Sequence, residues 1–322
     1  MRVLVTGGAG YIGSVVSAEL LRAGQEVVVV DDLSTGHADA VPPGAQFHQL
    51  SIAELDPVIG DWGIDGVIHF AARSLVGESV ADPAGYWRNN VVGTVALLDT
   101  LRAHAIDRIV VSSSAAAYGE PDRQPITEDA PTRPTSAYGA TKLAIDLALT
   151  DYARAYGSTA VSLRYFNVAG ALAVGDGGWL GERHATETHL VPNALRAAAG
   201  DGPKLQLFGT DYPTPDGTCV RDYIHVVDLA AAHQAALAVQ TPGVHNVVNL
   251  GSGSGYSVRQ VLDTVAEVTE RPVPVDEVAR RPGDPAVLVA ANERAGELLG
   301  WEPSRDLRSM VADAWGCYQR YA

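Results

Sequence analysis

Tyr138 and Lys142 are the residues whose types and spacing could carry acid/base chemistry. They lie four residues apart in the stretch Ser136-Ala137-Tyr138-Gly139-Ala140-Thr141-Lys142, which has helical character. Residues at this spacing share one face of a helix, one turn apart. A phenol with a pKa of about 10 is a poor base at neutral pH, but a fixed ammonium nearby lowers that pKa. The pair therefore predicts a tyrosine that acts as a general acid/base.

The scarcity of lysine supports this reading of the pair. Lys142 and Lys204 are the only two lysines among 23 basic residues, and the others are arginines. A lysine at this position indicates a need for a compact ammonium, which a guanidinium does not imitate. On the pair alone, the alternative stays open that Tyr138 packs in the core and Lys142 is solvated on the helix surface.

The beginning of the chain has the pattern of a dinucleotide site. A strand-like run, Arg2 to Thr6, leads into the loop Gly7-Gly8-Ala9-Gly10-Tyr11-Ile12-Gly13 and a helix-like run from Ser14 to Ala23. Such glycines let the backbone approach a pyrophosphate at the positive end of the helix. A second strand, Glu26 to Val30, ends at Asp31, which can accept hydrogen bonds from a ribose and would repel a 2'-phosphate. This favours NAD over NADP, with a purely structural loop as the alternative.

An alternation of strands and helices continues beyond this loop. Strand-like runs lie at 66–70, 108–112 and 160–163, and helical stretches lie near 86–104 and 137–156. This rhythm predicts an α/β fold with a doubly wound parallel sheet of the Rossmann type. Ligands bind outside the carboxyl ends of such strands. Polar stretches at 71–74, 112–114 and 165–167 follow predicted strands and are expected to meet there.

The composition changes after residue 167, which predicts a second unit. We expect a dinucleotide-binding domain over 1–166, with a returning segment near 222–248, and a smaller mixed α/β domain over 167–322 that binds the substrate. In Arg280-Arg281-Pro282-Gly283-Asp284 the guanidinium groups suit bidentate phosphate contacts, with a solvated arginine pair as the alternative. The glycine-rich stretch 251–255 is predicted to be a turn, because Ser257 and Gln260 have the spacing of a capping box for a following helix.

The composition excludes several function classes. The net charge of -15 argues against nucleic acid or an anionic membrane surface as a partner. Cys219 and Cys317 lack the spacing of a zinc site or a disulfide framework, and neither a signal-peptide layout nor a membrane-spanning run is present, so a cytoplasmic location is expected. The histidines show no HExxH pattern, and the spacing of His184 and His189 is too weak to indicate a site. No metal is therefore expected.

Together these motifs place the chain in a known group. It resembles the extended short-chain dehydrogenase/reductase superfamily and, within it, the UDP-glucose 4-epimerase family, over nearly its whole length. Besides the glycine loop and the Tyr138–Lys142 pair, the resemblance rests on the stretches His69–Ala72, Val76–Val80, Ser112–Ser114, Arg164–Asn167, Phe208–Thr218 and Val220–Val226. The last two are the most specific to the epimerases.

The resemblance implies an NAD-dependent isomerase. It implies reversible C4 epimerisation of a UDP-hexose through a transient 4-keto intermediate, with NAD bound tightly, and a homodimer joined through the helices near 86–104 and 137–156. Tyr138 would be the base, Lys142 would lower its pKa, and Ser114 would hydrogen-bond to the sugar O4. The implied cofactor contacts are Gly7, Gly10, Tyr11, Ile12, Gly13, Asp31, Ser51, Ala71, Lys142 and Tyr165. The implied substrate contacts are Ser114, Tyr138, Asn167, Phe208, Arg221, Arg281 and Asp284.

Three residues depart from the family pattern. Ser51 stands where an aspartate is common near the adenine. The basic residue expected shortly after residues 69–71 is Arg73, and the sequence leaves open whether it contacts the cofactor. Leu288 stands where members carry either a bulky aromatic or a small residue near the sugar. Its intermediate size leaves open whether a UDP-N-acetylhexosamine or another UDP-sugar is accepted.

Two rival functions fit the sequence less well. A nucleotide-sugar dehydratase needs an acid pair beside the catalytic serine or threonine, but Ala115 and Ala116 follow Ser114. A non-catalytic NAD-binding protein would not need Tyr138 and Lys142 together. Both are therefore less favoured than the epimerase.

Overall fold

The fold is built on a seven-stranded parallel sheet. The computed structural model of the chain describes residues 1–281 and 283–321. Its strands are β1 (Arg2–Thr6), β2 (Glu26–Asp31), β3 (Gln46–Gln49), β4 (Gly66–His69), β5 (Arg108–Ser114), β6 (Thr159–Tyr165), β7 (Asn167–Ala169), β8 (Ala171–Val174), β9 (Gly178–Gly181), β10 (Leu205–Phe208), β11 (Val220–Arg221), β12 (Tyr223–His225), β13 (His245–Leu250), β14 (Tyr256–Ser257), β15 (Val275–Val278) and β16 (Val287–Leu288).

The helices alternate with these strands. They are α1 (Tyr11–Arg22), α2 (Asp56–Ile59), α3 (Val76–Ala81), α4 (Pro83–Tyr86), α5 (Gly93–Ala103), α6 (Ala137–Tyr156), α7 (Leu190–Ala199), α8 (Val226–Leu237), α9 (Val258–Thr269), α10 (Glu293–Leu299) and α11 (Leu307–Tyr321). A π-helical turn, Trp87–Val92, joins α4 to α5. In the described part of the chain, no helix has the length and apolar content needed to cross a membrane.

The strand order places the carboxyl ends of the central strands at one edge. The order is β13-β6-β5-β4-β1-β2-β3, and every neighbouring pair is parallel. After β3 the chain returns to the other side of β1, so the order reverses between β1 and β4. Ligands of doubly wound sheets bind at such a reversal. The predicted fold class is confirmed, and β5 and β6 each run two residues beyond their predicted ends.

Apolar strands bury both faces of the sheet. Helices α1 and α8 belong to the core on one face, and α5 and α6 to the core on the other. The central strands are almost continuous apolar runs, as both-sided burial of parallel strands requires. The helix predicted from Ser14 begins earlier, at Tyr11, because the chain enters it directly from the glycine loop.

Helix α6 has the bounds that the sequence predicts, and its ends explain them. The Ser136 side chain accepts a hydrogen bond from the Gly139 N–H at 3.1 Å, which caps the first turn. The helix ends at Gly157, whose φ of 78° is left-handed and favours glycine. Tyr138 and Lys142 therefore occupy the first two turns of a well-defined helix.

The second half of the chain has more regular structure than its composition suggests. The stretch after residue 167 contains β7 to β10 and α7, which packs with α9 and α11 in a third core. The capping box is confirmed: Ser257 and Gln260 exchange hydrogen bonds of 2.8 and 3.1 Å at the start of α9. β13 lies at the edge of the large sheet. The division into two domains stays a prediction. Pro282 and Ala322, which belong to the predicted second domain, lie outside the described part of the chain.

Candidate active site

Tyr138 and Lys142 meet at the carboxyl end of the sheet. Lys142 is 3% exposed, and its Nζ donates a hydrogen bond to the Ser112 carbonyl at 2.8 Å. The same nitrogen lies 5.9 Å from the centre of the Tyr138 ring. Ser112 lies near the carboxyl end of β5, so a strand end and a helix start hold the ammonium from two sides. The predicted proximity of the two side chains is present, and their catalytic role stays a prediction.

The pKa of Tyr138 differs from the sequence-based expectation. Burial raises the pKa of Tyr138 above its usual value, and hydrogen bonding with Ser114 only partly offsets this. The Lys142 ammonium faces the tyrosine ring and the Ser112 carbonyl, and the pKa of Tyr138 in the protein alone is set by burial and by Ser114. Burial also lowers the pKa of Lys142 to about 8, against the pull of Asp146, so its charge is present at pH 7. An oxidised nicotinamide carries positive charge and would act on the phenol in the same direction as Lys142.

Tyr165 and Ser114 have structural contacts of their own. The Tyr165 hydroxyl forms a hydrogen bond with Ser112 Oγ, and burial raises the pKa of this phenol. Tyr165 thus supports the residue whose carbonyl holds Lys142. The Ser114 hydroxyl accepts a hydrogen bond from the Ala116 N–H at 3.1 Å, which fixes its position at the end of β5.

Asn90 is a buried residue of the site that the sequence analysis did not single out. Its Nδ2 donates to the Arg73 carbonyl at 3.0 Å and to Thr141 Oγ1 at 3.1 Å. Thr141 in turn donates to the Tyr138 carbonyl at 2.7 Å. Asn90 lies in the π-helical turn, a form that is frequent at functional sites. Asn90 therefore connects the loop at Arg73, after β4, to the first turn of α6. In the sequence, the only signal for this role was the pair of adjacent asparagines 89 and 90.

A second missed element is a buried ion pair behind the lysine. Arg164 Nη2 lies 2.7 Å from Asp146 Oδ2, and both side chains are almost fully buried. Ser113 Oγ donates to the same oxygen at 3.2 Å. Asp146 is one turn after Lys142 on α6, and its charge raises the pKa of Lys142 against the effect of burial. Asp146, held in place by Arg164, therefore helps to keep the lysine charged.

The glycine loop fits a pyrophosphate. The first turn of α1 has no side-chain cap, so its N–H groups are free for an anion. A Cβ on Gly7 would come within 2.6 Å of the Ala71 nitrogen, and a Cβ on Gly13 within 2.2 Å of the Gly7 carbonyl oxygen. These glycines bring the loop against β4 and α1, as the dinucleotide fold requires. Gly10, at the N-cap position, leaves the entrance to the helix without a side chain.

Asp31 lies beside this loop in a position that suits a ribose. Its carboxylate accepts hydrogen bonds from the Ala9 N–H at 3.0 Å and the Leu33 N–H at 2.8 Å. Each oxygen retains a further lone pair for a hydroxyl donor. Tyr11 is anchored by its hydroxyl, which donates to the Gly170 carbonyl at 2.6 Å, and Ile12 packs on the core. The loop is thereby fixed at several points, and the residues present fit NAD.

Two of the departures from the family pattern have local roles. The Ser51 hydroxyl accepts a hydrogen bond from the Ala53 N–H at 3.3 Å and caps a short helical turn. The Arg73 guanidinium contacts Glu78 at 2.6 Å and Asp82 at 3.0 Å. Two carboxylates already hold this side chain, so a structural role accounts for Arg73 without a contact to the cofactor.

The predicted substrate residues form two contact pairs. Arg221 is hydrogen-bonded to Asp284, and the Arg281 guanidinium carbon lies 3.9 Å from the centre of the Phe208 ring. Arg221 is also paired in register with Leu288 across β11 and β16. The guanidinium groups carry the positive charge that a diphosphate requires. Their contact with a substrate stays a prediction.

Asp222 organises the same region and was missed by the sequence analysis. It is fully buried, and its carboxylate accepts hydrogen bonds from the Ser252 and Ala290 N–H groups, the latter at 3.0 Å. Its carbonyl accepts a hydrogen bond from Asn167 Nδ2 at 2.9 Å. Asp222 thus ties together the segments that carry Asn167 and Arg221. An acid next to an arginine in an otherwise largely apolar stretch was the available signal.

The buried histidines predict a loss of stability in acid. Burial lowers the pKa of His233 to about 4, and burial with the nearby charge of Lys142 lowers that of His69 to about 3. Unfolded histidines titrate near 6.5, so each contribution is complete above that pH and is lost as the pH falls towards the folded value. Between pH 7 and 5 each should cost about 2 kcal/mol. Urea unfolding at both pH values should show a smaller pH effect for His233→Gln than for wild type.

His48→Gln is the matched control for this measurement. His48 is partly exposed on the edge strand β3, where its ring stacks on Trp62 at 4.4 Å. That variant should keep the wild-type difference between the two pH values. An equal pH effect in His233→Gln and wild type would contradict the assignment.

Comparison with known proteins identifies the family of the chain. The model of the NAD dependent epimerase/dehydratase family matches residues 3–251. The UDP-glucose 4-epimerases of Corynebacterium glutamicum and Streptomyces lividans are 54% and 52% identical over 317 and 320 residues, 98% of this chain and 95% of each relative. A crystal structure of UDP-glucose 4-epimerase from Bifidobacterium longum in complex with NAD+ and UDP has a TM-score of 0.92 and 37% identity, and the match covers 100% of this chain and 99% of that one. These matches confirm the predicted resemblance, and the chain belongs to the NAD dependent epimerase/dehydratase family.

Proposed function

We propose that this chain catalyses the reversible epimerisation at C4 of a UDP-hexose, interconverting UDP-glucose and UDP-galactose, with NAD as its bound cofactor. The named activity of its relatives supports this, and so does the fit of the glycine loop and Asp31 to a dinucleotide. One observation carries the proposal. A buried ammonium lies at the ring of a tyrosine on the carboxyl edge of a dinucleotide-binding sheet.

The chain's own residues account for the proton steps. Held by the glycine loop and Asp31, NAD would supply the acceptor for the C4 hydride and, once reduced, its donor. Tyr138, as the phenolate, takes the proton from the 4-hydroxyl, and Ser114 holds O4 by a hydrogen bond. A 4-keto sugar results, and Tyr138 returns the proton when C4 is reduced. Lys142 supplies the positive charge that favours the phenolate.

Inversion at C4 requires a firm hold on the nucleotide and a loose hold on the hexose. Arg221, Arg281 and Asp284 are proposed to bind the UDP portion, with Phe208 and Asn167 beside them. In the protein alone Arg221 is paired with Asp284, so its charge is oriented before a diphosphate arrives. The keto sugar can then present its other face without release of the nucleotide.

Incubation of the purified chain with single UDP-sugars tests the proposed reaction. UDP-glucose should yield UDP-galactose, and the reverse reaction should reach the same mixture without added NAD. Resolution of the products by chromatography checks this. UDP-N-acetylglucosamine should be run in parallel, because the size of Leu288 leaves an N-acetylated substrate open. Formation of a dehydrated sugar, or NAD retention without any product, would contradict the proposal.

A homodimer is proposed through the surface of α3, the π-helical turn and α6. In the described part of the chain, nine large hydrophobic residues are exposed, and six of them lie on these elements: Val76, Val80, Trp87, Val92, Leu147 and Tyr156. The other three are Met1, Val244 and Tyr321. A concentration of exposed apolar side chains marks an interaction surface.

A cytoplasmic location is also proposed. Two buried free cysteines, Cys219 and Cys317, fit it.

The variant Leu147→Asp tests the dimer. Leu147 is 61% exposed, so the change should leave the fold intact, but a carboxylate at a buried interface should convert the dimer to a monomer. Size-exclusion chromatography with light scattering measures the mass. Val244→Asp places the same charge at an exposed residue outside these three elements and should remain dimeric. A monomeric wild-type protein, or a dimeric Leu147→Asp, would refute the proposed interface.

A further inference from the structure

Two carboxylates and two imidazoles converge in the segment between β9 and α7. Glu182, His184, Glu187 and His189 each offer one ligand atom, and these atoms all lie within 4.8 Å of one another. The two glutamate side chains are largely buried, and buried carboxylates need a positive partner, which here is either a protonated histidine or a bound cation. Of these four residues, only the two histidines enter the sequence-based prediction, in which no metal is expected. Folding adds the two glutamates.

Three of the four imidazole–carboxylate distances within the cluster suit ligands of one tetrahedral ion, and the fourth is shorter. Zinc lies about 2.0–2.1 Å from nitrogen or oxygen ligands, so two ligand atoms of a tetrahedral site are about 3.3 Å apart. His184 Nδ1 lies 3.1 Å from Glu182 Oε1 and 3.4 Å from Glu187 Oε2. His189 Nδ1 lies 2.5 Å from Glu182 Oε1 and 3.1 Å from Glu187 Oε1. Both imidazoles direct the same nitrogen at both carboxylates.

The contacts of His184 are not those of an ordinary hydrogen bond. Its Nδ1 is buried and lies near the glutamate oxygens. Within the described residues, however, none of these contacts has the geometry of a hydrogen bond. A buried polar atom in this condition is costly unless another partner completes it. A cation between the four side chains would satisfy this nitrogen and neutralise both carboxylates.

The cluster lies against the proposed cofactor loop. The negative charges of Glu182 and Glu187 are close enough to Tyr11 to add to the effect of burial in raising the pKa of that phenol. Arg183, between two cluster residues, pairs with Asp39 at 2.9 Å, and its carbonyl contacts His37 Nε2 at 2.8 Å. The residues that hold the cluster thus also hold the segment that follows Asp31.

We propose that Glu182, His184, Glu187 and His189 form a structural site for a divalent transition-metal ion, with Zn2+ as the best match. Imidazole and carboxylate ligands suit this ion, and four protein ligands close its coordination sphere. The ion has no part in the proposed reaction. It joins the end of β9 to the start of α7 and fixes this segment against the cofactor loop.

Zinc titration of the chelator-treated full chain tests the site. Wild type should take up one Zn2+ per chain at micromolar concentration, measured against a chromogenic chelator and by elemental analysis. The Tm should rise by about 5 °C at a hundredfold excess over Kd. His184→Ala and Glu187→Gln should each bind at least about 100-fold more weakly and lose this rise in Tm, and Co2+ should give the visible spectrum of a four-coordinate site.

Matched variants separate the site from general effects. His48→Ala removes a histidine on β3, away from the cluster, and should bind zinc as wild type does. Glu187→Gln preserves the side-chain volume, so a folded variant without zinc would support the assignment even if His184→Ala is unstable. No zinc uptake by wild type, or equal uptake by wild type and both cluster variants, would overturn it. Epimerase activity is not a readout, so the site and the proposed reaction can fail independently.

Discussion

Tyr138→Phe is expected to lower turnover by about 10²- to 10⁴-fold while NAD remains bound, because general acid/base catalysis contributes on that scale. The change removes only the hydroxyl that would take the proton from O4. In the described residues this hydroxyl has a hydrogen-bonding neighbour in Ser114, and the ring keeps its place beside Lys142. Folding and cofactor retention should therefore be unchanged. Initial rates with saturating UDP-galactose, together with the NAD content of the purified variant, provide the measurement.

Tyr152→Phe is the control for this variant. Tyr152 lies on the same helix, and its hydroxyl donates to Asp99 at 3.0 Å on the surface. Loss of this exposed hydrogen bond should leave turnover close to the wild-type value. If Tyr138→Phe retained near-normal turnover, Tyr138 would not be the base, and another group would have to supply the proton transfer.

Lys142→Met is expected to lower turnover by a similar factor and to move the pH dependence of the rate upwards. Methionine approximates the length of the lysine side chain but removes the ammonium. Each unit by which the pKa of Tyr138 then rises corresponds to 1.36 kcal/mol of lost stabilisation of the phenolate. In the wild type this support should weaken above pH 8, because burial lowers the pKa of Lys142 to about 8. The variant should instead become more active as the pH rises. Rates between pH 6 and 10 would show the difference.

A structural loss must be separated from this electrostatic effect. Removal of Lys142 leaves the buried Ser112 carbonyl without its 2.8 Å donor, which should cost about 1–3 kcal/mol of stability. The Tm of the variant measures this term. Lys204→Met is the matched control, because Lys204 is exposed and pairs with Asp276 at 3.1 Å. A Lys142→Met profile parallel to that of wild type at every pH would show that the lysine does not act through the tyrosine's ionisation.

The fold could be predicted because its signals are local. The glycine loop after β1, the polar strand ends and the bounds of α6 each depend on a few neighbouring residues, and all of them are present in the structure. The segment from 167 to 222 was harder. Its strands are short, and the amphipathic helix α7 follows a long irregular stretch, so composition obscured the regular elements there.

The site was predicted only in part because several of its residues act through distant partners. Asn90 reaches Thr141, which is 51 residues away, and Asp222 reaches Ala290, which is 68 residues away. No spacing rule connects such pairs. The sequence predicted a lowered pKa for Tyr138, and in the protein alone this direction is wrong. The degree of burial raises the pKa, and burial depends on packing that a helical spacing does not describe.

The amino-acid order by itself determined the α/β fold class, the position of the glycine loop and the pairing of a tyrosine with a lysine on one helix face. These follow from short-range geometry, since a turn of helix or a strand end involves only adjacent residues. Tertiary structure decided which groups are buried, which carboxylates surround His184 and His189, and how strongly each proton is held. Those properties depend on desolvation and on charges brought together from separate segments, and they exist only once the chain has folded.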